Sequence, residues 1–216
     1  MSLPVLTYFS SRGRAEMIRV LCAYAGIAYE ERSLGVYHPV DKTPAFLALR
    51  ATGVLPFDAV PLWEEPDGFR LAESTAIVRH LARTRGLYGK DAREAARCDM
   101  IVAAADDVRA DLRRVLDLSP ADRAAHRKAL AETILPRRLA HFEKLLGEAP
   151  FIVGDAPTFA DLTLYVMSEN LGDNGYAAAY AAAPHLAAHA ARLAERPGLA
   201  RYLASPSRFP AQILPT

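Results

Sequence analysis

The segment LTYFSSRGRAE, residues 6–16, sets one tyrosine, two serines and two arginines between an apolar run and an apolar-periodic helix. Tyr8 stands at the C-terminal end of the run Val5 to Phe9, which reads as a buried strand. In open α/β sheets ligands sit at those strand ends. The helix that follows points free N–H groups and its positive dipole end at the same place. Arg12 and Arg14 add formal positive charge. This chemistry suits an anion; a buried tyrosine capped by a solvated basic turn has the same sequence, and the segment alone does not separate the two.

Further along, Glu73-Ser74 immediately precedes a helix. Ser74 is either an N-cap or, with the helix amides, the holder of a ligand carboxylate, with Glu73 beside a ligand ammonium. Arg50, a charge amid Leu49, Ala51 and Val54, is a candidate for a second carboxylate. Pro61 belongs at a strand edge or start. Base rates favour a trans Val60-Pro61 bond; a cis bond would turn the Val60 backbone outward to pair with an extended peptide. Together these residues describe a site for an extended, anionic, zwitterionic peptide.

The positioning elements are short. Arg14 to Ala25 has helical periodicity, with Ile18, Leu21, Cys22 and Ala25 on one face and Gly26 placed to stop it. Tyr29 to Leu34 reads as a second strand. Thr43 and Pro44 form an N-cap and first helical residue before Ala45 to Leu49. Ala59 to Trp63 and Phe69 to Ala72 flank the turn signal Pro66-Asp67-Gly68 and form a hairpin. Ser74 to Arg83 is helical. The order is βαβ, helix, ββα. After residues 84–90, taken as a linker, helices run almost to the end: Asp91 to Leu116, Pro120 to Leu146 with a kink at Pro136, Thr158 to Asn170, Pro184 to Ala194 and Leu199 to Ala204. The expected fold is thus an α/β domain over 1–83 and an all-α domain over 91–216.

Composition excludes more than it assigns. At 51% hydrophobic and 24% charged, the 216 residues can bury a real core. The net charge of +1 gives no basic field for nucleic acid or an anionic membrane. Cys22 and Cys98 have no CxxC or metal spacing, so dithiol redox work and a disulfide framework are not expected. Cys22 lies on an apolar helix face and is expected to be buried and inert. MSLPVLTYF has no basic stretch followed by a long apolar one, and no apolar run spans a membrane; a cytoplasmic protein is the expectation. His185 and His189 have i,i+4 spacing compatible with a metal, but without a third ligand nearby a solvated helix face is expected, and no metal. Asp106, Asp107 and Asp111 would ordinarily be another solvated face.

The motifs in order resemble a cytosolic glutathione S-transferase of the tyrosine type, near the alpha, mu, pi and sigma classes and nearest the sigma class. The resemblance covers nearly the whole chain. YFSSRGRAE at 8–16 is similar to that family's catalytic segment, FDAVPLWEE at 57–65 to its cis-proline segment and AESTAIVRHLAR at 72–83 to its glutamyl-binding segment. VGDAPTFADLTLY at 153–165 resembles its helical-domain capping box, and RPGLARYLASPSR at 196–208 its usual C-terminal end. The resemblance implies a thioredoxin-like first domain followed by a helical bundle, with glutathione as co-substrate and no other cofactor. It implies a hydrophobic electrophile as the second substrate, and a homodimer.

Carried over by residue, Tyr8 is the catalytic hydroxyl and Arg14 supports it and the thiolate. Arg50 takes the glycine carboxylate, Val60 pairs through its backbone beside Pro61, and Glu73 and Ser74 hold the glutamyl part. Asp107 reaches the partner subunit's glutathione, and Phe57 is the aromatic key that inserts into the partner. Thr158 and Asp161 form a capping box whose role is folding. Departures are Glu73 for a usual glutamine, Ala59 for another, and a hairpin one residue longer than usual. Ser10 and Ser11 keep serine activation of the thiol open, ranked behind Tyr8. The resemblance places the acceptor pocket among Phe9, Ser11, the 35–40 loop with Tyr37, the long helix near Arg113 and the C-terminal tail. An isomerase or peroxidase using glutathione, or a non-catalytic protein of this fold, are the alternatives.

Overall fold

The computed structural model describes residues 2–37 and 42–215. Positions 38–40 of the expected acceptor loop lie outside these. The chain divides into two compact units. One comprises the chain up to Arg85 together with Pro197–Gln212; the other comprises Gly86–Arg196 and the residues from Ile213 on. The division falls inside the expected 84–90 junction. Pro197–Gln212 groups with the first unit, although the sequence reading placed it in the helical domain 91–216.

In the first unit β1 (Val5–Tyr8) is central because its residues from Leu6 onward are buried. It pairs in parallel with β2 (Glu30–Ser33), and antiparallel with β3 (Leu62–Glu64), which pairs with β4 (Arg70–Ala72). The sheet order is β2-β1-β3-β4. β2 is one of the two edges, and its all-charged-or-polar Glu-Glu-Arg-Ser sequence is exposed, as suits an edge that must not recruit another chain. The tight turn Gly13–Ala15 leads into α1 (Glu16–Ala25), which ends at left-handed Gly26. α2 (Pro44–Ala51) has Thr43 as its N-cap, accepting from the Phe46 N–H at 3.2 Å. α3 (Ser74–Thr84) follows β4 directly. α9 (Pro197–Leu203) packs on α1, where Gly198 lies against the Ala23 carbonyl with no room for a Cβ. α1 also packs on α3. This double covering buries its whole stretch from Glu16 to Cys22, beyond the single apolar face its periodicity shows.

The second unit is helical. α4 (Ala92–Arg113) is capped by Asp91, whose carboxylate accepts from the Arg93 and Glu94 N–H groups. It packs on α7 (Phe159–Asp173), and α8 (Pro184–Ala194) packs on α6 (Leu135–Leu146) and α7. The expected single helix from Pro120 to Leu146 is α5 (Pro120–Ala129), a π-turn at Leu130–Ile134, and α6. Pro136 explains the π-turn. It has no N–H, and its ring crowds the carbonyl four residues back, so the backbone widens one turn earlier. The alanine-rich stretch Ala177–Ala182 is a 3-10 segment, although its composition favours an α-helix; Ala183 and Pro184 start a new helix behind it.

Candidate active site

The sheet register brings distant motifs to one end. Thr7 pairs with Leu62, and Leu62 with Ala72. Tyr8 is the last residue of β1, and Pro61 and Glu73 lie just beyond β3 and β4 at the same end of the sheet. The Val60-Pro61 bond is cis, against the base-rate expectation. Glu73 has φ 66°, a left-handed conformation unusual outside glycine, and it is the N-cap of α3, without a side-chain capping bond. Ser74 is therefore the first helical residue and not the N-cap. Its Oγ is buried, the residue being 1% exposed, and has no hydrogen-bond partner among the described residues. A buried hydroxyl left unpaired is costly. One that sits beside the free N–H groups of a helix start is placed to meet an anion.

At the other end of this row Tyr8 is 7% exposed. Its Oη accepts the Arg14 backbone N–H at 3.0 Å. The backbone of Arg14 makes this contact, and its side chain is exposed. Gly13 makes the approach possible. It has φ 40°, and a Cβ there would lie 2.6 Å from Tyr8 Oη and 3.1 Å from Gln212 Oε1. Ser10 Oγ is engaged with Ser33 Oγ at 2.5 Å, and Ser11 is 9% exposed with its N–H on the Phe9 carbonyl. Phe9 meets Tyr37 and Phe46 edge-on or tilted at 5.1 and 5.6 Å, which seats α2 beside the tyrosine turn. Arg50 is exposed on the last turn of α2, 6.0 Å from the Phe46 ring centre. Phe57 is 67% exposed.

Charges that the sequence reading passed over hold this turn. Arg19 is 2% exposed. It donates from Nε and Nη2 to Glu31 at 3.0 and 2.7 Å, and from Nη1 to the Ser11 and Arg12 carbonyls at 2.8 and 3.2 Å. Its guanidinium lies 4.7 Å from the Phe209 ring centre and 5.8 Å from that of Tyr8. Burial works against its charge, but the Glu31 hydrogen bond and carboxylate, helped by Tyr202 and Glu16, raise its pKa above the ordinary arginine value. Glu16 in turn accepts from Tyr202 Oη at 2.8 Å and from Arg208 at 2.7 and 3.1 Å. The Arg12 N–H donates to the Pro210 carbonyl at 2.9 Å. The tail of the first unit is thus fastened across the start of α1. A cleft of about 440 Å³ walled by Arg19, Tyr29, Glu31, Tyr202, Arg208 and Phe209 lies along this network, and Tyr8, Val60 and Ser74 do not line it. The one hint of the network in sequence is the Glu16/Arg19 spacing of three, which puts opposite charges on one side of an apolar helix.

In the second unit, Asp107 pairs with Arg138 at 3.3 Å, and Asp111 with the same arginine at 3.1 Å. Thr158 and Asp161 form a capping box: Asp161 Oδ2 accepts the Thr158 N–H at 2.7 Å and its hydroxyl at 2.9 Å. Asp161 Oδ1 also accepts the Ile152 N–H at 2.8 Å and lies 2.8 Å from His189 Nε2. His189 is 1% exposed, which overturns its reading as part of a solvated face. His185 faces Glu143 at 2.7 Å. Among the described residues no group of three or more His, Cys, Asp or Glu side chains is arranged to hold a metal. No helix among them is long and apolar enough to cross a membrane.

Residues 4–83 match the family model for the glutathione S-transferase N-terminal domain, and residues 106–206 that for the C-terminal domain. Glutathione S-transferase 3 of Gallus gallus is 33% identical over 95% of this chain and 87% of its own length. Glutathione S-transferase P of Pongo abelii is 36% identical over 93% and 91% respectively. Among solved structures, NaGST-2 superposes with a TM-score of 0.80 at 29% identity, covering 95% of this chain and 98% of that one. Rat hPGDS complexed with a quinoline gives a TM-score of 0.80 at 26% identity, covering 93% and 95%.

Proposed function

The chain belongs to the glutathione S-transferase family, and on that premise we propose that it activates the glutathione thiol with the Tyr8 hydroxyl and transfers it to hydrophobic electrophiles. The observation that carries the peptide half of this reading is the buried Ser74 Oγ at the start of α3, without a partner among the described residues. A glutamyl carboxylate there satisfies the hydroxyl and the helix N–H groups together, with Glu73 beside the ammonium. The cysteinyl part runs along Val60, next to cis Pro61, and Arg50 takes the glycine carboxylate. This row directs the sulfur toward Tyr8.

The energetics suffice. A free thiol has a pKa of roughly 8.5, so lowering it by about 2 units takes about 2.7 kcal/mol of preferential thiolate stabilisation. One charge-assisted hydrogen bond supplies ~1.5–3 kcal/mol. The Arg14 N–H on Tyr8 Oη polarises the hydroxyl and strengthens the bond it donates to sulfur. The thiol proton leaves to solvent, the thiolate forms the C–S bond, and the electrophile's leaving group departs with its electron pair. The quinoline held by rat hPGDS, of similar fold, is in keeping with an aromatic acceptor. The working form in this reading is a homodimer keyed by Phe57, with Asp107 turned to the partner's glutathione.

An ultraviolet thiolate titration of bound glutathione, paired with a chlorodinitrobenzene assay, tests the reading. Tyr8→Phe is expected to raise the thiol midpoint and slow conjugation strongly at neutral pH, and Ser74→Ala to weaken glutathione binding about tenfold, the loss of one hydrogen bond to a charged group. An unchanged midpoint in Tyr8→Phe sinks the catalytic assignment. Binding without turnover on a broad electrophile panel would favour a non-catalytic role.

A further inference from the structure

We infer that Arg19 is a positioning residue for thiol activation, acting through the backbone of the Ser11–Arg14 turn on the Tyr8 hydroxyl. The inference rests on Tyr8 serving as the activating group, as proposed above.

The path is short: side-chain hydrogen bonds at either end, joined by the backbone of residues 11–14. Glu31 stands on β2 at the position paired with Leu6 of β1, so its carboxylate is fixed relative to the strand that carries Tyr8. It grips the Arg19 guanidinium from two nitrogens, at 3.0 and 2.7 Å. The remaining terminal nitrogen, Nη1, reaches the Ser11 and Arg12 carbonyls at 2.8 and 3.2 Å. Those carbonyls set the entry to the Gly13–Ala15 turn, and that turn directs the Arg14 N–H to Tyr8 Oη at 3.0 Å. The groups facing the guanidinium are Glu31, Glu16, Tyr202, Phe209 and Tyr8; Arg208 lies beyond Glu16.

The chemistry requires arginine. A planar guanidinium serves a carboxylate with two parallel bonds while a third nitrogen faces elsewhere. A lysine keeps the charge but is a single point donor, so it cannot hold Glu31 and both carbonyls in that fixed fork. A buried cation used only for stability would be an inefficient choice, because burying an ion pair is often no better than apolar packing. Here the ion pair delivers two directed bonds to backbone carbonyls of the tyrosine turn.

The test is a double-mutant cycle on the full chain, read by titration of bound glutathione thiolate. Arg19→Lys is expected to raise the thiol midpoint by about one pH unit, roughly threefold less thiolate at neutral pH. It should lower kcat more than it raises the glutathione KM. In the Tyr8→Phe background the same change should move the midpoint no further. Thermal melts of each variant report stability separately. An Arg19→Lys enzyme that is less stable but keeps the wild-type midpoint overturns the inference. So does a shift of equal size with and without Tyr8. If Arg19→Lys does not fold, Glu31→Gln loosens the guanidinium from its outer end and should shift the midpoint the same way, less far. A folded Glu31→Gln enzyme with the wild-type midpoint counts against the inference equally.

One further readout separates this inference from the functional reading. With ring-carbon-labelled tyrosine, the Tyr8 Cζ resonance is identified in the ligand-free protein by its loss in Tyr8→Phe. Arg19→Lys should move it without glutathione present. A moved resonance with a bound-thiol midpoint indifferent to Tyr8→Phe would mean that the thiol-activation reading fails while the positioning holds. An unmoved resonance beside a Tyr8-dependent midpoint would mean the reverse.

Discussion

Tyr8 was legible because a tyrosine at a strand end ahead of a helix start is a chemically marked position. Arg19 was not, because a charge within a helix reads as a solvent-facing residue until another segment covers it. That segment includes Tyr202, which bonds to Glu16 across 186 positions of sequence. Gly13 carries its own prediction. Alanine there meets a left-handed backbone and the Tyr8 Oη at once. Gly13→Ala is therefore expected to displace the hydroxyl and lower kcat by about a hundredfold, the order of loss that a 1 Å misplacement causes. Binding of S-hexylglutathione, measured by calorimetry, should be far less affected. The cysteines give a second prediction. Burial pushes the Cys22 thiol up to about 12 despite the opposing pull of Arg85, and burial raises Cys98 against a Thr158 hydrogen bond. Thiolate is the reactive form. Ellman's reagent at pH 8 should thus find neither thiol in the folded protein and both after guanidinium unfolding.

At the scale of elements, local signals worked where the cap lies next to its helix. Thr43-Pro44 and Thr158…Asp161 were read from sequence; Thr43 caps α2, and Thr158 and Asp161 form a capping box at the start of α7. α8 shows the converse. Its N-cap residue is Ala183, which has nothing to cap with, and Glu143 of α6 does the work by accepting the His185 and Leu186 N–H groups at 2.9 Å. Burial pulls the Glu143 carboxyl up, but those N–H groups and the His185 ring outweigh it and lower the pKa. A lowered carboxyl pKa contributes stability above the unfolded value, about 4.3, and that contribution is lost as pH falls through the folded midpoint. Glu143→Ala should consequently destabilise the protein at neutral pH, with the gap to wild type closing below about pH 4 in urea titrations. The capping box yields a graded prediction. Thr158→Ala should cost about 1 kcal/mol. Asp161→Ala should cost ~3–5 kcal/mol, because it strips His189 and the Ile152 and Thr158 donors of a shared buried acceptor. Equal losses in urea unfolding would show that Asp161 acts only as half of the box.

At the scale of the whole molecule, the proposed homodimer would take Phe57, which is 67% exposed, into its interface. Removing a central aromatic anchor costs 2 kcal/mol or more, so Phe57→Ser should weaken the dimer roughly thirtyfold or more by sedimentation. An unchanged dimer would locate the interface elsewhere. The sequence by itself determined the order of elements, the α/β-then-helical architecture and the residues that carry the family's motifs. These rest on local periodicity, on proline and glycine at fixed places, and on types repeated at known spacings. Only the tertiary structure decided that Ser74 is a helix residue and not a cap, its Oγ without a partner among the described residues, that His189 is buried on Asp161, and that Pro197–Gln212 belongs with the first unit. It alone disclosed the Arg19 network. The reason is the same in each case: burial and hydrogen-bond satisfaction depend on what returns from far along the chain, and no local pattern records that.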